Sequence, residues 1–103
     1  MKATLLHDER KVYAEGRYIA YVKVYGVEKS SKYPDGIKAR FALVDSEGAT
    51  HLLVDNHEPF GFHIHTRLPR DKKHRTRIEA INYSEAMDLF FDEVRRIISE
   101  DNT

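Results

Sequence analysis

Asp55, Asn56, His57, His63 and His65 stand within the eleven residues DNHEPFGFHIH. These are side chains able to do chemistry together. Near neutral pH one imidazole can take a proton while another gives one, a carboxylate can orient an imidazole tautomer, and an amide can donate to an oxyanion. If FHIH is extended, His63 and His65 point to one side and Phe62 and Ile64 to the other. A turn through Pro59 and Gly61 then brings His57 back toward the pair. Three readings stay open on these residues alone. The histidines can line a polar, solvated sheet face. They can offer a His-x-His metal pair with His57 or Asp55 as third ligand, although no following Glu or His completes a recognisable spacing. Or they can carry metal-independent acid/base work, with no cofactor.

The segment that follows, TRLPRDKKHRTR, sets Arg67, Arg70, Lys72, Lys73, Arg75 and Arg77 against the single acid Asp71. A charge run of this kind is ordinarily a solvated loop. Beside histidines it also suits a phosphate-binding edge, because Arg and Lys gain affinity from counterion release and hold a nucleic-acid backbone in register. Arg67, Arg70, Lys72, Lys73 and Arg75 are therefore the candidate RNA-binding residues. Tyr33, Phe60 and Phe62 are the aromatic side chains nearest to hand for stacking an unpaired base. Acidic residues gather instead toward the C-terminus, at Glu85, Asp88, Asp92 and Glu93.

The elements that must position these groups follow from periodicity. Over residues 17–27, Tyr18, Ala20, Val22 and Val24 alternate with Ile19, Tyr21, Lys23 and Tyr25, which predicts a strand. IKARFALV (37–44) predicts a second strand and residues 50–54 a short apolar third, joined by the hairpin loop DSEG. YPDG is a turn in which Pro34 presets φ and Gly36 supplies the permissive position. ATLL and the segment around Val12 and Tyr13 are weaker strand candidates, and FHIH and RIEAI can each add a short strand. From Asn82 the period changes: Tyr83, Met87, Phe90, Phe91, Val94, Ile97 and Ile98 recur at three- and four-residue steps, an amphipathic helix over 82–98. Asn82 or Ser84 can cap it; with Asn82, Glu85 takes the third helical position. Several strands followed by one helix predict an α+β fold, an antiparallel meander-like sheet with the C-terminal amphipathic helix packed on one face. The expected division is a sheet over roughly 1–81, a helix over roughly 82–98 and a frayed tail over 99–103.

Length and composition bound the rest. A chain of 103 residues, 41% apolar and 33% charged, reads as one globular domain, with a homo-oligomer left open. Its formal charge of zero gives no whole-molecule pull toward nucleic acid or membrane. The absence of cysteine excludes disulfides, thiolate metal sites and cysteine nucleophiles. MKATLLHDERK reaches charge too early for a signal segment and no apolar run approaches a membrane span, so a cytoplasmic protein without a membrane partner is expected.

With DNH followed by FHIH, a polar segment and a terminal amphipathic helix, the chain resembles the TumE family, small toxins of bacterial and archaeal toxin-antitoxin modules. The positions that carry the resemblance are Asp55, Asn56, His57, Pro59, His63 and His65, and it extends over roughly residues 35–98. Phe62 departs from the pattern, standing where many family members carry another His or an Asp. The resemblance implies a growth-inhibiting toxin neutralised by a cognate antitoxin, often a DNA-binding protein. RNA as target and an endoribonuclease activity are extrapolated from imidazoles beside a basic edge: His57, His63 and His65 with Asp55 and Asn56 as candidate catalytic residues, and no metal. The alternatives are a non-enzymatic RNA- or protein-binding module with surface histidines, and a small metalloprotein using the His-x-His pair.

Overall fold

A computed structural model describes residues 3–57, 61–65, 76–77 and 82–101, with His57, Gly61, Thr76, Arg77 and Asp101 by backbone alone. Among the described residues six strands follow one another in space as in sequence: β1 (Thr4–Tyr13), β2 (Tyr18–Gly26), β3 (Ile37–Asp45), β4 (Thr50–His57), β5 (Gly61–His65) and β6 (Thr76–Arg77), every neighbouring pair antiparallel. One helix, α1 (Tyr83–Asp101), closes the chain and packs on one face of this meander. The predicted α+β architecture is the one observed.

Alternation explains why one face is covered. Tyr18, Ala20, Val22 and Val24 of β2, Ala39, Phe41 and Leu43 of β3, and Leu52 and Val54 of β4 are all buried beneath Ala86, Phe90 and Val94 of α1. Register places Phe41 directly across from both Val22 and Val54, and the Phe90 ring lies 5.6 Å from that of Phe41, tilted by 55°. Phe90 and Val94 are four apart and Ala86 one turn earlier, so a single helical stripe fills the centre of the sheet. Met87 and Ile97 pack against the core half-buried, at the margin of that stripe, together with Tyr83, Phe91 and Ile98.

Local chemistry sets the connections. Gly36 takes a φ of 70° and its N–H donates to the Tyr33 carbonyl at 3.0 Å, closing the YPDG turn. In DSEG the Asp45 carboxylate accepts from the N–H groups of Glu47 and Ala49 at 2.9 and 3.0 Å, while Gly48 takes a φ of 87°. The β1–β2 hairpin turns through Ala14, Glu15 and Gly16, all at positive φ. Asn82 is the cap of α1: its Oδ1 accepts from the Glu85 N–H at 3.0 Å, the third helical position, and its carbonyl accepts the first intrahelical bond from Ala86. The helix runs to Asp101, past the expected end at 98, where Arg96 bridges Glu93 and Glu100 along one face. The two weak strand candidates at the N-terminus are one ten-residue strand, interrupted by a bulge between Leu5 and His7.

Candidate functional site

The site lies on the sheet face that α1 does not cover. Strands β4 and β5 pair without a bulge, Leu53 to His65, Val54 to Ile64, Asp55 to His63, Asn56 to Phe62 and His57 to Gly61. Period-two alternation therefore gives Val54, Phe62 and Ile64 to the helix side and Asp55, His63 and His65 to the other. Phe62 and Ile64 pack on the core from their side. Both histidines emerge on one strand face, as the spacing predicts, with the apolar pair opposite.

Directly across the ladder, the Asp55 Oδ1 and His63 Nε2 atoms lie 2.5 Å apart, an ion-pair contact. The rings of His63 and His65 meet edge to face, their centroids 5.2 Å apart and their planes at 71°. Such closeness is a consequence of two-residue spacing on a strand. Burial distinguishes these histidines from solvated ones: His63 is 2% and His65 8% exposed, whereas the Asp55 side chain keeps 24% of its surface. A polar sheet face lined by solvated histidines is thus not what forms. Asp55 is the most exposed side chain of the three, although the Oδ1 atom that meets His63 is itself buried.

Asp55, His63 and His65 can each offer one donor atom, and those atoms lie within 4.8 Å of one another. Two imidazoles and a carboxylate form a donor set that suits Zn or, as a facial triad with open positions, Fe(II). Asp55 would have to separate from the 2.5 Å contact with His63 to share an ion with it.

Asn56 serves a different purpose from its neighbour. Its Oδ1 accepts from the Ala39 N–H at 2.7 Å and its Nδ2 donates to the Ile37 carbonyl at 2.9 Å. The β3–β4 register runs as far as Arg40 and Asp55, and beyond that point the Asn56 amide supplies the bonds that a further ladder pair would have made. Both halves of the amide are occupied by backbone, so Asn56 is not gathered into the histidine group as an oxyanion donor. His57 ends β4 two positions past Asp55; its side chain lies outside the described residues. So do the candidate RNA-binding residues Arg67, Arg70, Lys72, Lys73 and Arg75, and the stacking candidate Phe60.

Polar residues to which the sequence reading gave no role lie beside the site. Arg40 stands directly across from Asp55 on β3, and Lys23 across from Arg40 on β2. Both are exposed, and neither forms an ion pair among the described residues. For Lys23 the signal in sequence is the off-face set of β2, Ile19, Tyr21, Lys23 and Tyr25; for Arg40 it is the alternation of Lys38 and Arg40 with Ala39 and Phe41 on β3. Another His/carboxylate contact, His51 Nε2 with Asp45 Oδ2 at 2.7 Å, belongs to the β3–β4 turn. There His51 and two backbone N–H groups hold the Asp45 carboxyl below its usual range, the His51 bond contributing most.

No protein-family model, curated protein or solved structure matches this chain. Among the described residues, no helix is long and apolar enough to cross a membrane.

Proposed function

We propose that this chain is the toxin component of a toxin-antitoxin module and that it cleaves RNA by histidine acid/base chemistry. The toxin assignment, and with it a cognate antitoxin as partner, rests on the resemblance of the DNH and FHIH elements to the TumE family. The chemistry is supported by one observation: a buried imidazole, His63, is held against a partly exposed carboxylate, with a second imidazole, His65, ring to ring beside it. Asp55 orients His63, which takes the proton of a ribose 2′-hydroxyl. The 2′ oxygen attacks the adjacent phosphorus, a P–O2′ bond forms and the P–O5′ bond breaks. His65 delivers a proton to the departing 5′ oxygen, leaving a 2′,3′-cyclic phosphate and a free 5′-hydroxyl. Arg40, one strand from Asp55, supplies positive charge for the phosphorane.

The test uses untagged protein and an end-labelled single-stranded RNA, with and without EDTA. Cleavage to 2′,3′-cyclic ends that survives EDTA is expected, with His63→Ala and His65→Ala each lowering kcat by about 10²–10⁴-fold. A substrate with deoxyribose at the cleavage site should be inert. Absence of cleavage, or full activity in both histidine variants, overturns the ribonuclease reading. Activity lost in EDTA and restored by a stoichiometric metal overturns the metal-independent form of it, and turns the Asp55, His63 and His65 donors into ligands.

A further inference from the structure

The helix-free face of the sheet is ordered in rows. Register sets Asp8, Lys23, Arg40, Asp55 and His63 side by side on five consecutive strands. One step along, Arg10, Tyr21, Ala42, Leu53 and His65 form the next row; on the other side Leu5, Tyr25 and Lys38 form another. Rows on one face are two residues apart, roughly 7 Å. Two tyrosines of β2 thus bracket a pair of cations, Lys23 and Arg40, in the row that ends at the histidine site.

This face is also concave. A groove of about 470 Å³ runs over Tyr21, Lys23, Tyr25, Lys38, Arg40 and Ala42. The short Ala42 side chain, opposite Tyr21, leaves the floor open. A second groove of about 520 Å³ shares Tyr25 and Lys38 with the first and continues to Tyr33, above whose ring the Lys32 Nζ sits at 5.7 Å. Lys23, Lys38 and Arg40 are exposed, and none of the three forms an ion pair among the described residues. Among the described residues the acids of the face are Asp8 at its β1 margin, Glu28 in the second groove and Asp55, which contacts His63. Positive charge is therefore left over along β2 and β3.

We propose that this face binds single-stranded RNA, with bases on Tyr21 and Tyr25 and phosphates on Lys23, Lys38 and Arg40. The strand then leads across the sheet toward Asp55, His63 and His65; that direction, and the choice of RNA, rest on the ribonuclease reading above. Charge complementarity calls for a polyanion. The tyrosines decide which one: ring faces interleaved with cations are the platform on which unpaired bases stack, whereas a duplex hides its bases and would use the cations alone. Tyr21 and Tyr25 are four residues apart, about 13 Å along the strand, so they hold separate bases.

The test is fluorescence anisotropy with the full chain and a labelled twelve-nucleotide RNA carrying 2′-O-methyl groups, which binds without being cut by 2′-hydroxyl attack. A duplex of the same sequence serves for comparison. Expected are at least tenfold tighter binding of the single strand, and a loss of roughly 5- to 150-fold in Tyr25→Ala that Tyr25→Phe restores. Lys23→Gln and Arg40→Gln, exposed changes that keep the fold, should each flatten the log-log salt slope by about 0.7. Equal affinity for duplex, an unchanged slope in both charge variants, or displacement of the RNA by polyglutamate without dependence on Tyr25 overturns the proposal, the last in favour of an acidic protein partner. Failure of cleavage is separable. Tyrosine-dependent binding without cleavage of unmodified RNA leaves this surface standing and removes the chemistry, while cleavage indifferent to Tyr25 and Lys23 does the reverse.

Discussion

Replacing Asn56 separates a structural amide from a catalytic one. In the folded chain its side chain satisfies the Ala39 N–H and the Ile37 carbonyl, at 2.7 and 2.9 Å. Ala39 is 1% exposed, so Asn56→Ala leaves its N–H without ready access to water. An orphaned buried donor costs about 1–3 kcal/mol, and the loss of a second, better solvated bond adds about 1, so the variant should be destabilised by roughly 2–4 kcal/mol. For a chain of 103 residues that lowers Tm by roughly 9–18 °C. Asn56→Asp adds a sign. A carboxylate still accepts from Ala39 but faces the Ile37 carbonyl with like charge, whereas a protonated carboxyl has the donor and acceptor of the amide. The folded state therefore raises the pKa of the introduced Asp above its unfolded value of about 3.9. Between those two pKa values the folded state binds more protons, so the stability contributed by protonation is present at low pH and lost as pH rises through the folded pKa. Urea unfolding of wild type, Asn56→Ala and Asn56→Asp from pH 4 to 7 measures this. The Asp variant should approach wild type at the acid end and the Ala variant at the neutral end. Asn56→Ala as stable as wild type, yet inactive on RNA, would refute the structural assignment and return the amide to the chemistry.

Two further predictions address the fold. Phe90 is 0% exposed and packs its ring against Phe41, so Phe90→Ala should cost about 3–5 kcal/mol in urea unfolding, against about 0.5 or less for Leu89→Ala, whose residue is 42% exposed; equal effects would displace the helix from the sheet. Because the His51 bond is the largest cause of the depressed Asp45 pKa, His51→Ala should move the Asp45 carboxyl upward in an NMR titration. The stabilisation that this depression brings is present above the unfolded pKa of about 3.9 and lost as pH falls through the folded one, so the variant should lose less stability on acidification below about pH 4 than wild type does. An unmoved Asp45 resonance would assign the depression to the Glu47 and Ala49 N–H groups instead.

The strands and the helix were legible in the sequence because each buries one face of a regular period. Tyr18 to Val24, Ile37 to Leu43, and Tyr83 to Ile98 announce their cores by alternation or by three- and four-residue steps. The reach of β4 to His57 was not legible, since Asp55, Asn56 and His57 are polar and carry no core signal; their strand conformation comes from pairing with β5 and from the Asn56 amide on β3. The same gap explains the site. Spacing alone puts His63 and His65 on one face, but the contact with Asp55 depends on the β4–β5 register, and His63 burial on tertiary packing. Lys23, Arg40, Tyr21 and Tyr25 could be sorted to a face by alternation, yet only the register of β2, β3 and β4 sets them in rows beside the histidines.

Adjacent residues on an unbulged strand cannot serve the same face, and this fixes how the Asp-Asn pair divides its work. β4 pairs with β5 continuously from Leu53 to His57, so Asp55 and Asn56 point to opposite sides. Asn56 ties the end of β4 to β3, and Asp55 is thereby presented between two groups of its row, Arg40 and His63. The carboxylate contacts the histidine, at 2.5 Å, and forms no ion pair with the arginine. Had Asp55 neutralised Arg40, the row would hold a closed ion pair and an unoriented imidazole. As it stands, the carboxylate is committed to His63 and the guanidinium remains exposed on the open face, the division of charge that a phosphate group entering beside an imidazole requires.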